Sequence, residues 1–350
     1  MITKILDDYG ISFVPEESDD LLTIRRLIKR GDTIIGETTR VIKQEKEYSR
    51  PDKGERVRIR IAIEVEKISL DDVLDRVRVG GKITESNNES VPHGSHHSFL
   101  IKIDQPFNLV KKKWTPLEKK LAKANDSKMT FVLVAIDTTD CGIGRLKGTH
   151  LHLLPNIYSG YSGKRYKTNF KIENYFEDIT KALSSIVKNN DSIIIFGPGE
   201  TRKKFGNFLE KSTLGKKCTK KIIEGIDSGG EDGIHLFTKS NSMQEIMSDS
   251  KLAKVSKIID RVMMLAAKTS KKFSMGLEET KKANEFSAID ELVFSEKVIQ
   301  DNDEQEVINF LNDVEAKGGK LYSVDGSTDT GLRVSGLGGI ISLLRFSIEG

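Results

Sequence analysis

The ten residues RVRIRIAIEV, from Arg56 to Val65, limit the fold of the first part of the chain more than any other feature. The odd-numbered residues are all apolar, and the even-numbered residues are polar apart from Ala62. A period of two predicts a strand with one buried face and one exposed face, and the exposed face begins with three arginines. DRVRVGGKI, which breaks at Gly80 and Gly81, and SFLIKI repeat the pattern. Several short strands with turn signals between them predict a small barrel or compact sheet.

The chain divides into three parts. One helix, capped at Ser18 and ended by Gly31, interrupts the β region. Residues 105–126 show no strand alternation and include a basic helical stretch from Pro116, so the first boundary is placed there. Apolar strands such as TFVLVAID then alternate with helical patterns, which predicts an α/β domain with a mainly parallel sheet and a second α/β domain after it. The prediction is a multidomain α+β protein with domains at 1–126, 127–252 and 253–350.

The charge balance argues against a protein that is held to nucleic acid by charge alone. The formal net charge is +4 over 350 residues, and residues 251–350 carry 14 basic and 16 acidic groups, a net of −2. The acidic last part is therefore expected to meet a different partner from the rest. Only Cys141 and Cys218 are present, which excludes a disulfide scaffold and fits a reducing compartment. No apolar run approaches the roughly 20 residues that span a bilayer, so we expect a cytoplasmic protein that binds no membrane.

The Gly197-Pro198-Gly199 segment lies between a predicted strand and a predicted helix, where backbone N–H groups bind anions in some proteins. A dinucleotide fingerprint needs a third glycine where Arg202 stands, and the segment lacks the G-K-[ST] ending of a P-loop. We therefore expect an ordinary turn between strand and helix and no nucleotide site.

Two clusters of potential ligands have both a chemical and a structural interpretation. His93, His96 and His97 offer imidazoles for zinc or for a general base, but neighbours in an extended segment point to opposite faces. A solvated or RNA-contacting turn is therefore the default interpretation. A second cluster offers carboxylates for a divalent ion, although acids in a first helical turn more often complement the helix dipole. Its members are Glu16, Glu17, Asp19 and Asp20.

Two basic segments contain interleaved aromatic residues. One is the polar loop from Lys43 to Arg56, and the other is SGYSGKRYKTNF, which directly follows Tyr158. Aromatic rings stack on bases while cations pair with phosphates. Either segment alone fits a solvated loop equally well, but the presence of both favours RNA.

Five separated blocks resemble the Pelota family in order and spacing. The blocks are FVPEESDDLLTIRRLIKRGDTI, VPHGSHHSFLIKI, FGPGETRKKF, GLEETKKANEFSAIDELVFSE and LGGIISLLRF, and the resemblance covers essentially the whole chain. It implies an N-terminal Sm-like β-barrel, followed by two α/β domains similar to the middle and C-terminal domains of archaeal and eukaryotic class-1 release factors.

The resemblance also implies a function. Such a protein is similar in outline to a tRNA, enters the ribosomal A site beside an elongation-factor-1-alpha-type GTPase and dissociates subunits with an ABC-type ATPase. It would rescue stalled ribosomes, as a monomer, in mRNA surveillance and no-go decay. Release factors carry Gly-Gly-Gln, whereas every Gly-Gly pair here is followed by Lys, Glu or Ile, as at Lys82, Glu231, Lys320 and Ile340. Peptide release is therefore not expected.

The family's roles map onto residues of this chain. The loop from Lys43 to Arg56, the strand that adjoins it and the histidine turn are expected to contact mRNA and the decoding centre. The segment SGYSGKRYKTNF is expected to contact rRNA or the GTPase. The Pro-Gly turn is expected to contact the GTPase. For RNA and ribosome binding the residues are Lys43, Tyr48, Arg50, Lys53, Arg56, Arg58, His93, His96, His97, Lys164, Arg165 and Lys167; for the GTPase they are Pro198, Gly199 and Arg202.

The alternative that the resemblance raises is a metal-dependent endoribonuclease in the N-terminal domain. Cleaving a phosphodiester requires an activated nucleophile and charge stabilisation at phosphorus. The acids from Glu16 to Asp20 would hold the divalent cation, and Arg56 or Arg58 would supply positive charge. Without that activity, no cofactor is expected.

Overall fold

The structure, a computed structural model, describes residues 1–42, 55–71, 76–123, 130–160, 171–188, 191–326 and 328–348. The chain forms two compact units. One comprises Met1–Asp126 with Ile299–Ala316, and the other comprises Ser127–Val298 with Lys317–Gly350. The domain boundaries at 126 and 252 stay predictions. No helix within the described ranges is long and apolar enough to cross a lipid bilayer.

An antiparallel sheet of seven strands, in the order β1-β2-β7-β3-β4-β5-β6, forms most of the first unit. The inward side chains of β4 are buried, as the period of two predicts, and α1 packs its apolar stripe into the same core. The elements are β1 (Ile2–Ile5), β2 (Gly10–Val14), α1 (Ser18–Leu27), β3 (Thr33–Ile42), β4 (Glu55–Leu70), β5 (Arg76–Ser86), β6 (His96–Lys102), β7 (Phe107–Val110) and α2 (Pro116–Lys123).

The sheet curls until β6 lies beside β3. The ring of Phe99 packs so closely on Gly36 that a Cβ on this glycine would lie 2.5 Å from Cζ of the ring. Thr38 Oγ1 lies 3.1 Å from Nε2 of His97, and Gln105 Nε2 donates to the carbonyl oxygen of Glu37 over 3.2 Å. Side chains thus close the curved sheet into a barrel where β3 and β6 meet.

Three local expectations for this unit are wrong. Strand β7 lies inside 105–126, where no strand was predicted, and it is held between β2 and β3. Strand β5 continues through Gly80 and Gly81 because its partner β4 is irregular there, and a Cβ on Gly81 would lie 1.9 Å from the carbonyl oxygen of Glu64. Helix α1 ends at Leu27 rather than Gly31, and its N-cap is Glu17 rather than Ser18.

The second unit begins with a mixed sheet in the order β10-β9-β8-β12-β13, with β11 also paired to β9. Apolar clusters cover both faces, and β8 is buried along its whole length, as predicted. The elements are β8 (Thr130–Ile136), β9 (Asp140–Lys147), β10 (His150–Leu153), β11 (Ile157–Tyr158), α3 (Ile172–Ile186), β12 (Ser192–Phe196), α4 (Thr201–Lys211), β13 (Thr219–Ile222), α5 (Gly230–Lys239) and α6 (Asn241–Ile246).

The expectation of a mainly parallel sheet is only half right. Strands β8, β12 and β13 are parallel, whereas β9 pairs antiparallel with β8, β10 and β11. Strand β9 was not predicted because Gly142 and Gly144 interrupt its apolar pattern, yet close packing requires glycine there. A Cβ on Gly142 would lie 2.3 Å from the carbonyl carbon of Gly230, at the start of α5.

A four-stranded sheet, β14-β17-β15-β16, completes the described strands of the chain, and only its pair β15 and β16 is parallel. Helices and strands alternate in this part, as expected for the second α/β domain. The elements are α7 (Lys251–Ala267), β14 (Phe273–Met275), α8 (Leu277–Glu285), β15 (Ile289–Ser295), α9 (Lys297–Asp301), α10 (Glu304–Ala316), β16 (Lys320–Val324), α11 (Asp329–Gly336) and β17 (Ile340–Leu344).

Helix α10 belongs to the first unit, and two buried arginines of α1 hold it there. Arg25 forms an ion pair with Glu304. Arg26 lies with Nη2 2.6 Å from Oε2 of Glu315, and its Nε donates to Asn312 Oδ1 over 2.9 Å. Burial lowers the pKa of Arg26, and the adjacent Glu315 carboxylate opposes that shift.

Candidate nucleic-acid interface

The outer face of β4 presents three exposed arginines, as the alternation predicts. Arg56, Arg58 and Arg60 point outward, while the residues between them enter the core. The Arg58 side chain is 79% exposed and contacts the carboxylate of Glu37. An exposed ion pair of this kind is worth less than about 1 kcal/mol, so a phosphate would displace the carboxylate at little cost.

A polar groove of about 430 Å³ runs along the closure between β3 and β6. Arg58 and Lys102 place cations in it from two different strands, and Thr39 and Ser98 add hydroxyl groups. Cations beside hydroxyl donors suit the phosphates and sugars of a nucleic acid strand. The lining residues are Glu37, Thr38, Thr39, Arg58, Ser98, Leu100, Lys102 and Gln105.

The three histidines do not converge on one point. His93 Nδ1 lies 2.7 Å from the carbonyl oxygen of Thr84, and His96 Nε2 lies 3.0 Å from Oε2 of Glu66. His97 lies on the other side of the strand, half-buried against Thr38. The expectation that neighbouring His96 and His97 face apart is confirmed, and this arrangement does not favour a shared metal ion. Their contact with RNA stays a prediction.

His97 lies near the half-buried guanidinium of Arg40. Burial and, after it, the charge of Arg40 lower the pKa of His97. Nη1 of Arg40 is buried without a hydrogen-bond partner among the described residues. Arg40 pairs with Val57 near the connected end of the β3–β4 hairpin, one residue pair from the exposed Arg56.

Most of the predicted loop residues lie outside the described part of the chain. The connection between β3 and β4 contains four of them, and the connection between β11 and α3 contains three. The residues are Lys43, Tyr48, Arg50, Lys53, Lys164, Arg165 and Lys167. Their roles stay predictions, although strands with exposed Arg56, Arg58 and Tyr158 flank them.

The candidate metal ligands lie at the start of α1. Asp19 and Asp20 occupy its first turn and are buried with Glu17. The Met1 ammonium lies 2.8 Å from the Glu16 carboxylate and 2.6 Å from that of Asp20, which also accepts a hydrogen bond from the backbone of Glu16. The single Met1 ammonium therefore contacts two of the four carboxylates. Binding of a divalent ion by this cluster stays a prediction.

The Pro-Gly segment forms the predicted turn between β12 and α4. Gly197 has φ 132°, and a Cβ there would lie 2.1 Å from the carbonyl oxygen of Ile136, so only glycine fits. Arg202 Nη1 donates to the carbonyl oxygens of Gly197 at 2.9 Å and Gly199 at 2.5 Å, and Nη2 donates to Glu224 at 3.0 Å. Arg202 therefore braces the turn, while Gly199 is exposed. Contact of this turn with a GTPase stays a prediction.

Arg40 and Lys102 belong to this surface but were not predicted from the sequence as interface residues. Lys102 follows the apolar run FLI at an outward position of β6, so the period of two would have found it. The position of Arg40 beside His97 depends on the closure of the barrel, for which the sequence holds no local signal.

Comparison with known proteins identifies the family. A protein pelota homolog of Nitrosopumilus maritimus is 64% identical over 349 residues, covering 100% of both chains. The chain belongs to the Pelota family. Another Pelota relative, from Cenarchaeum symbiosum, is 49% identical over 99% of both chains. Residues 4–125 match the Pelota N-terminal domain, and residues 252–348 match eRF1 domain 3.

Solved Pelota structures support the same fold. The crystal structure of the Thermoplasma acidophilum Pelota protein superposes with a TM-score of 0.66, covering 99% of this chain and 100% of that one at 21% identity. Archaeoglobus fulgidus Pelota gives 0.52 at 25% identity, covering 100% of this chain and 99% of that one. The prediction of an Sm-like barrel followed by two release-factor-like α/β domains is confirmed.

Proposed function

We propose that this protein recognises and rescues stalled ribosomes. It enters an empty A site together with an elongation-factor-1-alpha-type GTPase and then dissociates the subunits with an ABC-type ATPase, in the cytoplasm. The observation that carries the proposal is family membership along the whole chain, at 64% identity to a Pelota homolog. The match of residues 252–348 to eRF1 domain 3 supports the proposal further.

The barrel surface supports a role at the mRNA and rRNA of the A site. Arg56 and Arg58 project from β4, and Lys102 lines the same groove as Arg58. These cations reach sugar and phosphate rather than base edges, so the proposed recognition reads an unoccupied site and not a sequence.

Peptide release is not part of the proposal. The four Gly-Gly pairs, which begin at 80, 229, 318 and 338, are never followed by glutamine. The factor would therefore split ribosomes that still carry peptidyl-tRNA.

A subunit-splitting assay tests the proposal. Stalled ribosomes are incubated with the protein, the GTPase and the ATPase, and free subunits are measured on sucrose gradients. We expect splitting that requires the protein and leaves the peptidyl-tRNA ester intact. Intact 70S particles with all three factors present would refute the proposal.

The arginine row has its own test. Replacing Arg56 and Arg58 by alanine should lower the slope of log affinity for ribosomes against log salt by about 2, because each lost phosphate contact removes about one released counterion. Replacing the exposed pair Lys112 and Lys113, in the same unit but outside the groove, is the matched control. Equal slopes for both variants would remove the arginine row from the interface.

The endoribonuclease alternative stays a prediction that this geometry does not favour. Glu16 and Asp20 pair with the Met1 ammonium. RNA cleavage by the purified protein with Mg²⁺ or Mn²⁺, stopped by EDTA and by replacing Asp19 and Asp20 with asparagine, would reinstate it.

A further inference from the structure

One 25-residue segment of the second unit carries more positive charge than the chain as a whole. Residues 200–224 contain eight cations and three acids, a net of +5 by count, whereas all 350 residues sum to +4. The cations are Arg202, Lys203, Lys204, Lys211, Lys216, Lys217, Lys220 and Lys221. Such a density makes the segment a candidate for contact with a polyanion.

Three of these cations serve the fold. Arg202 braces the Pro-Gly turn, as described above. Lys203 pairs with Glu200 at 3.2 Å and Glu224 at 3.3 Å. Lys220 pairs with Glu210 at 2.9 Å and donates to the carbonyl oxygen of Gly206. All three acids of the segment are used in these contacts.

The other five are exposed lysines without an ion-pair partner among the residues that the structure describes. They are Lys204, Lys211, Lys216, Lys217 and Lys221. Because the acids of the segment already pair with other cations, the charge of these lysines is not neutralised locally.

The fold gathers three of these lysines at one end of α4. Lys211 is the last residue of the helix, and the chain then turns back on itself. Ser212 Oγ accepts from the backbone N–H of Gly215 at 3.1 Å, and the N–H of Lys217 donates to Leu214 O at 3.0 Å. A Cβ on Gly215 would lie 2.1 Å from the carbonyl oxygen of Leu209, so the turn is pressed against the helix end.

Two structural explanations account for only part of this cluster. A helix C-terminus attracts cations, but its dipole is equivalent to about half a charge, which one lysine satisfies. Strand β13 is the edge of its sheet, and lysine at an edge discourages pairing with other chains, which explains Lys221. Lys216 and Lys217 precede the strand, so neither explanation covers both of them.

We propose that Lys211, Lys216 and Lys217 bind the phosphates of double-helical RNA. The two aromatic residues of the segment, Phe205 and Phe208, pack in the core cluster, so no ring of this segment is presented for stacking on unpaired bases. Lysine acts as a point charge on phosphate and is depleted in protein–protein interfaces, where aromatic and arginine residues dominate. Backbone contact with a regular helix therefore fits this surface better than a single strand or an acidic protein does.

Binding of the full chain to a 16-base-pair RNA duplex tests the proposal, with fluorescence anisotropy measured from 50 to 300 mM KCl. The variant replaces Lys211, Lys216 and Lys217 by alanine. Its matched control replaces Lys268, Lys271 and Lys272, three exposed lysines elsewhere in the same unit. We expect the first variant to lower the salt slope by about 3 and the control to leave it near the wild-type value.

Equal slopes for the variant and wild type would overturn the proposal. An equal loss for the variant and its control would overturn it too, because it would reflect net charge alone. If the variant of Lys211, Lys216 and Lys217 still binds the duplex but no longer binds a polyglutamate peptide, the surface would be assigned to an acidic protein instead. Since the assay contains no ribosome, its failure leaves the proposed rescue function untouched.

Discussion

Glu118 keeps its charge inside the first unit because cations and hydrogen-bond donors surround it. Its carboxylate lies 3.0 Å from Nζ of Lys29 and 3.3 Å from Nζ of Lys111, and it accepts from the Thr115 backbone at 2.8 Å. Burial alone would raise the pKa of Glu118, but these contacts outweigh burial and lower the pKa to about 2.

Replacing Glu118 by glutamine should therefore lower the free energy of unfolding at pH 7 by about 1–3 kcal/mol, a usual cost for lost hydrogen bonds to a charged group. Since the folded pKa lies below the unfolded value of about 4.5, the contribution is complete above pH 4.5 and disappears as the pH falls toward 2. Urea unfolding followed by the fluorescence of the single, buried Trp114 measures the difference at pH 7 and pH 3. A difference as large at pH 3 as at pH 7, or an equal effect of the exposed control Glu89→Gln, would contradict this explanation.

His97 offers a second test at a single residue. Burial and the neighbouring Arg40 lower its pKa, so its NMR titration should have a midpoint below the ordinary value of about 6.5. Arg40→Met removes the charge but not the burial, and the midpoint should rise without fully reaching 6.5. The control Arg78→Met changes an exposed guanidinium on β5 and should leave it unchanged. A midpoint that does not respond to Arg40→Met would show that burial acts alone.

At the scale of elements, the β4–β5 ladder contains two adjacent glycines with opposite tolerances. A Cβ on Gly81 would lie 1.9 Å from the backbone oxygen of Glu64, whereas one on Gly80 would meet nothing nearer than 3.9 Å. Gly81→Ala should therefore lower the free energy of unfolding by about 1–3 kcal/mol or more, because backbone atoms must shift. Gly80→Ala should change it by less than about 1 kcal/mol. Trp114 fluorescence in urea compares the two, and equal effects would mean that the ladder can relax around Gly81.

The same elements show what the sequence can and cannot predict. Strand β4 and helices such as α3 and α7 follow from hydrophobic period alone, because each buries one face and exposes the other. Strand β7 is four residues long and exists because β2 and β3 pair with it from distant parts of the chain. Strand β9 was missed because close packing against α5 requires glycine.

The candidate interface divides in the same way. Exposure of Arg56 and Arg58 follows from alternation within one strand. The groove beside Arg58 and the contact of His97 with Thr38 arise only when β6 reaches β3, and those two strands are separated by more than fifty residues. Side-chain clusters that depend on such closure cannot be read from local spacing.

At the scale of the whole molecule, α10 packs with residues that are distant from it in the sequence. Ile299–Ala316 groups with the first 126 residues. Buried Arg26 and half-buried Glu315 form one of the ion pairs at this contact. Glu315→Met leaves the Arg26 guanidinium buried without its main partner, which should cost about 3–5 kcal/mol and speed amide exchange of α10. The double variant Arg26→Met with Glu315→Met removes both charges, so it should recover most of the lost protection. Hydrogen exchange of α10 in the wild type and the three variants measures this cycle. If the double variant exchanges as fast as the singles combined, α10 is held by packing and by Arg25 rather than by this pair.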